Sequence, residues 1–470
     1  MPPNLVATHI PSHNKTPILP ETAAIPGPLF KHQQCRSIAF LVVETYIPSP
    51  KTVLLSLSQA AVVSNMQLGH AKLFLFFLSL FTPALSRRIG HKHTHVAERQ
   101  APACTPTAGG SPTVDDVPAI ESAMAACPSG TIMIPAKSTY HINSELSFAK
   151  CSGCTLQVEG TLLVSDDTKA WSGKDAVLNL EDVNDVSIVS KTGKGVIDGN
   201  GQAAWDLLNK DKNYSRVKCL LYLTGTTSGV TISGLTMRNP PNVFSSVKQS
   251  VTNVTYSNLI LTAVSKSDAL PKNTDGFDLG GTGIRMDNIK VQNGDDCIAI
   301  QNGAEDITVT NIQCTGSHGL SIGSIGKTPG EVDTVKNIHF KNAKMTKYSK
   351  AAGIKIYSGG YGTAEVSNVT WENVMVDGTS YAFQVQTCYG SDEKECASQP
   401  STAKLTDIVV KGFSGKTDKD EPVASINCPA KGTCGLSLTE MKVQSATGGE
   451  EYQCSNAGTI GVKCAPGASG

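Results

Sequence analysis

Three carboxylates, Asp275, Asp295 and Asp296, stand within two short turn-rich segments, KNTDGFDLG and QNGDDCIAI. A histidine, His318, follows in a third, CTGSHGLSIGSIGK. Alternating apolar runs separate the three, as β-strands would. If each segment lies on a neighbouring rung of one β structure, acids and imidazole converge on one patch. Such a cluster suits hydrolysis of a glycosidic bond. One protonated carboxyl donates to the leaving oxygen, and another, ionised, activates water or attacks. Close like charges raise one pKa, so the cluster itself supplies the acid. The bland alternatives are specific too. NTDGFD taken alone is an ordinary turn. Adjacent strand residues face opposite ways, which would leave one of Asp295 and Asp296 structural. Calcium is a rival use for gathered carboxylates, but the spacing is not that of an EF-hand and His318 is a poor ligand for so hard an ion. Lys355, in AAGIKIYSGG, is the cation on the next rung that would meet an acidic sugar.

What must position these residues is a loose repeat. A turn-former, an aliphatic residue, two further positions of which the second is apolar, then any residue, Asn or Gly, and another apolar residue recur. The copies are GVTISGL from Gly229, NVTYSNL from Asn253, GIRMDNI from Gly283, DITVTNI from Asp306, NIHFKNA from Asn337, NVTWENV from Asn368 and DIVVKGF from Asp407. Successive copies start roughly 23 to 39 residues apart, in or near the range of solenoid repeats. The period of two excludes helical repeats. A β-sandwich would also alternate, but gives no reason for Asn or Gly at one phase of every copy. No copy buries its apolar face alone; stacked copies share a core. Residues 104–470 therefore read as one parallel β-helix, with loops of varied length as the walls of a groove. A helix is expected near Val114–Ala126, where DDVPAIESAMAAC has Asp at its start and helical apolar spacing, closing one end.

Composition agrees with this reading. The chain of 470 residues has 43 glycines, few aromatics, and 40 Lys and Arg against 40 Asp and Glu. Zero net charge without a basic stripe removes the case for nucleic acid. Residues 1–65 are Pro-rich and lack a sustained period, reading as an unstructured gene-model extension. Residues 66–86, beginning at Met66 with an apolar core from Leu73 to Phe81, have the form of a signal peptide too short to span a bilayer. Residues 87–103 read as a pro-like leader, with Arg87-Arg88 as a processing site. The leader's His91, His93 and His95 could bind a metal, a use weighed below a flexible tail.

Of 14 cysteines, Cys35 falls in the extension. Six local pairs suggest themselves: Cys104–Cys127, Cys151–Cys154, Cys297–Cys314, Cys388–Cys396, Cys428–Cys434 and Cys454–Cys464. Sequence alone does not settle connectivity. Cys219 is left over as a buried apolar thiol. No zinc spacing is present. Asn213, Asn253 and Asn368 head glycosylation sequons. A secreted, extracellular glycoprotein follows as the expectation, monomeric, with no membrane partner.

NTDGFD, GDDC, SHGLSIGS and the downstream IK resemble the motifs of glycoside hydrolase family 28, the polygalacturonases, over the region from Cys104 to the C-terminus. The resemblance implies a right-handed parallel β-helix, all-β apart from the capping helix. It also implies inverting hydrolysis of α-1,4 bonds between galacturonate units of pectin, with no cofactor or metal. Carried over by motif, Asp295 resembles the general acid, and Asp275 and Asp296 the pair that positions and activates water. His318 would tune the acid's protonation. Lys355 would bind a substrate carboxylate, with Asn273, Asp278 and Tyr389 as further substrate contacts. Inversion asks for acid and base carboxyls about 6.5–9.5 Å apart. One departure stands out: the family's Arg-Ile-Lys is here Gly353-Ile354-Lys355, so a bidentate guanidinium is missing. With CTPTAGG, KAAGIK and YAFQVQTCYG, this is most similar to the xylogalacturonan hydrolase branch, whose galacturonan backbone bears xylose. The alternatives are a polygalacturonase in which a loop arginine substitutes, a β-helix pectate lyase, and a non-catalytic carbohydrate-binding β-helix.

Overall fold

The computed structural model describes residues 103–470, apart from 419–420, 447–450 and 469. The extension, the signal peptide and nearly all of the leader, with Arg87-Arg88 and its three histidines, lie outside the described residues. Among the described residues, every strand pairing is parallel, joining 28 strands into one coiled sheet. The fold is a right-handed parallel β-helix.

The repeat read from the sequence explains the coil. Its first and sixth positions take the left-handed backbone region at which a rung turns: Asn253 and Asn258, Asn337 and Asn342, Asn368 and Asn373 all have φ between 52° and 58°. Asn tolerates this region better than other residues with a side chain. The corners also stack. Asn342 Nδ2 donates to Asn311 Oδ1 at 3.3 Å, and Asn373 Nδ2 to Asn342 Oδ1 at 2.7 Å. A second ladder runs from Asn368 to Asn337 at 2.9 Å and from Asn337 to Asp306 at 2.8 Å. Between the corners the copies lie in register, Ile307 beside Ile338, Ile338 beside Val369 and Val369 beside Ile408. Three rungs' worth of short strands between Thr131 and Asp198 precede the first readable copy.

Inside the coil, apolar side chains stack rung on rung. Phe340 and Trp371 lie parallel with centroids 5.7 Å apart, and Phe383 meets Trp371 edge-on at 5.3 Å. Helix α1 (Val117–Ala126) buries Val117, Ile120 and Met124 at the N-terminal end. Two helices outside the expected pattern, Gln202–Lys210 and Glu393–Ser398, project from loops. None of the described helices is long and apolar enough to cross a membrane.

All six local cysteine pairs are bonded, and Cys219 is free and buried. Asn213, Asn253 and Asn368 are exposed. Asn253 and Asn368 do so at corners of the coil, with positive φ, rather than as free loop residues.

Candidate active site

Six strands make the sheet that carries the site: β1 (Val243–Val247), β2 (Phe277–Leu279), β3 (Ile298–Ile300), β4 (Leu320–Ile325), β5 (Val332–Tyr357) and β6 (Thr363–Tyr389). Their apolar residues point inward. The row between them, Ser246, Asp278, Ala299, Ser321, Gly353 and Gln384, is in register across the outer face. The chemistry-bearing residues sit mainly in the turns that enter β2, β3 and β4. Main-chain bonds link those turns: Phe244 N–H donates to the Asp275 carbonyl at 2.9 Å, Gly276 N–H to that of Asp296 at 2.9 Å, and His318 N–H to that of Asp295 at 2.8 Å. Asn293 braces two of them, its Nδ2 donating to the carbonyls of Thr274 and Asp296 at 2.7 and 2.8 Å. Because Asp295 and Asp296 lie in a turn, strand alternation does not separate them. Both belong to the site.

Asp295 is held from three sides. His318 Nδ1 lies 3.0 Å from Oδ1, the Asp296 N–H donates to the same oxygen at 2.9 Å, and Asn273 Nδ2 donates to Oδ2 at 3.2 Å. Asn273 is itself fixed by Arg216, whose guanidinium donates to Asn273 Oδ1 at 2.9 Å and to the carbonyls of Pro241 and Lys272. Asp296 is enclosed, accepting from Ser321 Oγ at 2.8 Å on one oxygen and from Lys355 Nζ on the other. Lys355 Nζ also lies 5.6 Å from the centroid of the Tyr389 ring, and Tyr357 packs edge-on against that ring at 5.5 Å. Every residue singled out for the site from the sequence therefore falls on this one sheet or on the turns feeding it.

Environment divides the acids. Burial, then the charges of Asp278, Asp295 and Asp296, pushes Asp275 well above the ordinary carboxylate range. Burial and Asp296 push Asp278 to about 7, and its Oδ1 is enclosed without a hydrogen-bond partner. Burial acts upward on Asp295 as well, but the hydrogen bond and charge of His318 and the Asp296 N–H outweigh it and hold Asp295 below its usual value. Burial and mutual repulsion thus favour the protonated form of Asp275 and Asp278, while His318 and the Asp296 N–H favour the anion at Asp295. For Lys355, burial acts downward and is outweighed by the charge and hydrogen bond of Asp296, so it stays cationic.

Asp295, Asp296 and His318 each offer one atom within 4.8 Å of the others. The same three groups could in principle grip a cation. Their oxygens, however, already accept from Ser321, Lys355, His318, Asn273 and a main-chain N–H, a donor set that suits carboxylates without a metal.

Sequence reasoning missed three participants. Ser321 was legible, since it occupies the outward phase in SHGLSIG. Arg216 was not, because its partners are carbonyls of distant turns. Lys350 lies three residues before Gly353 and is buried beside it. A cleft of about 570 Å³ lies along β1 and β2 over Ser246, Lys248, Asp278 and Gln301. Another, of about 590 Å³, lies beyond His318 over Lys347, Ser349 and Ser380. Asp278 lines the first cleft and His318 the second.

Residues 126–465 match the family described as glycosyl hydrolases family 28. The probable endo-xylogalacturonan hydrolase A of Aspergillus niger is 52% identical over 374 residues, 78% of this chain and 91% of that protein. Endo-xylogalacturonan hydrolase A of Aspergillus tubingensis is 51% identical over the same shares. The crystal structure of endo-xylogalacturonan hydrolase from Aspergillus tubingensis superposes with a TM-score of 0.77 at 50% identity, covering 78% of this chain and 100% of that one. A polygalacturonase from Erwinia carotovora, 19% identical with a TM-score of 0.60, shares the fold.

Proposed function

The chain belongs to glycosyl hydrolases family 28, and from that membership we propose that it is a secreted endo-xylogalacturonan hydrolase, cleaving α-1,4-galacturonosyl bonds in pectin whose galacturonate units bear xylose. The observation that carries the reading is the convergence of Asp275, Asp295, Asp296 and His318 on adjoining turns beside a floor of small residues, Ala299, Ser321 and Gly353. The close relatives named above support the choice of substrate. Six disulfides support an oxidising, extracellular setting.

In this mechanism Asp295 gives its proton to the glycosidic oxygen as the bond to the anomeric carbon breaks. A water held by Asp275 and Asp296 attacks that carbon from the opposite face and loses a proton to the pair. Asp296 suits the orienting role, because Ser321 and Lys355 engage both of its oxygens and blunt it as a nucleophile. The depression of Asp295 is eased as substrate carboxylates approach, since added negative charge raises a neighbouring carboxyl's pKa.

The test compares product chromatograms from xylogalacturonan and from unbranched polygalacturonan over time, with NMR of the first-formed anomer. Xylose-bearing oligomers released with inversion, and slow attack on the unbranched chain, are expected. Faster attack on unbranched polymer would make it a polygalacturonase. Ultraviolet-absorbing unsaturated ends would make it a lyase, and a retained anomer would make Asp296 a nucleophile.

A further inference from the structure

Gly353 leaves a gap in the family's cation set, and the structure shows what lies there. A Cβ built on Gly353 would come within 2.4 Å of the Gln384 carbonyl oxygen, 2.9 Å of Lys350 Cδ and 3.0 Å of Lys350 Cε. The Lys350 side chain thus crosses the volume in which any side chain at 353 would begin. Lys350 is only 4% exposed. Among the described residues no carboxylate lies within ion-pair distance of its Nζ, and no oxygen accepts a hydrogen bond from it. It nevertheless sits in the reach of the charges of Asp296, Lys355 and Asp295. Among the described residues no arginine takes the role: Arg216 is engaged with turn carbonyls and Asn273, Arg238 pairs with Asp198, and Arg285 donates to the carbonyls of Ile284 and Asp306.

An ammonium on so nearly enclosed a side chain, with no anion beside it, is unfavourable for the folded chain. Burial duly draws Lys350 down to about 8. Lysines are rarely enclosed unless paired, so one kept beside a groove built for an acidic polymer points to an anion supplied from outside. We propose that Lys350 is a substrate-binding residue that takes the carboxylate of a galacturonate whose neighbouring hydroxyl carries a substituent, standing in for the guanidinium that Gly353 removes. The exchange has a steric meaning. A guanidinium is a planar fork that fixes a carboxylate in one plane, whereas an ammonium is a compact point charge. Lys350 therefore keeps charge complementarity without the planar fork that a guanidinium would hold against one face of the sugar. This rests on the reading of the groove as a galacturonan site and names the residue that reconciles charge with width.

The test is binding by calorimetry in an Asp295→Asn background, with and without Lys350→Met, using acid xylogalacturonan oligomers and the same oligomers methyl-esterified. The expected result is an affinity for the acid oligomers lower by about 10–100-fold, the scale of a hydrogen bond to a charged group, with affinity for the esters unchanged. The melting temperature of Lys350→Met should hold or rise, because an unpaired buried charge has gone; Lys350→Gln gives the same readout if the Met variant fails to fold. Equal loss on acid and ester, or no loss with a lower melting temperature, would reduce Lys350 to packing and overturn the proposal. If the Asp295→Asn parent binds no acid oligomer at all, the galacturonan reading itself falls, and Lys350 with it.

Discussion

Lys355 and Asp296, 59 residues apart in sequence, form an ion pair in which the two side chains are 9% and 3% exposed. Enclosing such a pair costs desolvation that its attraction only partly repays, so stability alone is a weak reason to keep it. Removing one partner is worse, since it strands a buried charge. Lys355→Met is expected to destabilise the fold by about 3–5 kcal/mol and to abolish turnover. Denaturant unfolding checks the first, and an unchanged midpoint would show the pair to be expendable.

Asp295→Asn should lower kcat by about 10²–10⁴-fold, the usual share of a general acid. Its amide keeps most of the shape, so oligomer binding should survive. Reducing-end release and calorimetry read the two separately. Turnover near the wild-type level would move the acid's role to Asp275 or Asp278, the two carboxyls that burial already raises.

His318→Gln removes the charge that helps hold Asp295 low while offering a hydrogen-bond donor near it. The acid's pKa then rises, so the alkaline limb of the kcat/KM profile should move to higher pH while kcat falls. A limb displaced towards acid would mean that Asp295 is not the group it reports.

Asp278 carries a folded-state pKa of about 7, above its unfolded value. Its contribution to stability is therefore complete below the ordinary carboxylate range and is lost as pH rises through about 7. Asp278→Asn abolishes that titration. The variant should match the wild type at pH 4 and exceed it at pH 8 by on the order of 1–3 kcal/mol, the scale of an unsatisfied buried polar group. Melting curves at the two pH values decide; a less stable variant at pH 8 would reverse the sign.

Chelators should leave activity intact, because the oxygens of Asp295 and Asp296 already have protein donors. A loss with EDTA that calcium restores would place a cation among Asp295, Asp296 and His318 after all.

The solenoid was legible wherever its corners are written in asparagine. Asn258, Asn342 and Asn373 take a backbone region that most side chains avoid, so the residue type announces the turn. Rungs before Gly229 turn with other residues, Asp182 and Asp185 among them, and their spacing hides the period. Asp275, Asp295 and Asp296 were legible because acids are rare beside apolar strands. Which of them the surroundings push up and which they hold low was not, since the division depends on enclosure and on His318 rather than on spacing. Lys350 looked like one more charge in KYSKAAGIK. Only the missing Cβ of its neighbour Gly353 shows why its chain lies flat in the floor.

Five of the six disulfides clip terminal rungs: Cys104–Cys127 and Cys151–Cys154 at one end, Cys388–Cys396, Cys428–Cys434 and Cys454–Cys464 at the other. Their loops are short, 3 to 23 residues, so none ties distant parts of the chain together. A stacked array, in which each rung leans only on its neighbours, is open to unzipping from its ends. The bridges act there as stops on a zipper. They guard the two places where a protease could find a loose thread, while the rungs that carry Asp275, Asp295 and Asp296, at mid-length, are shielded by their own neighbours.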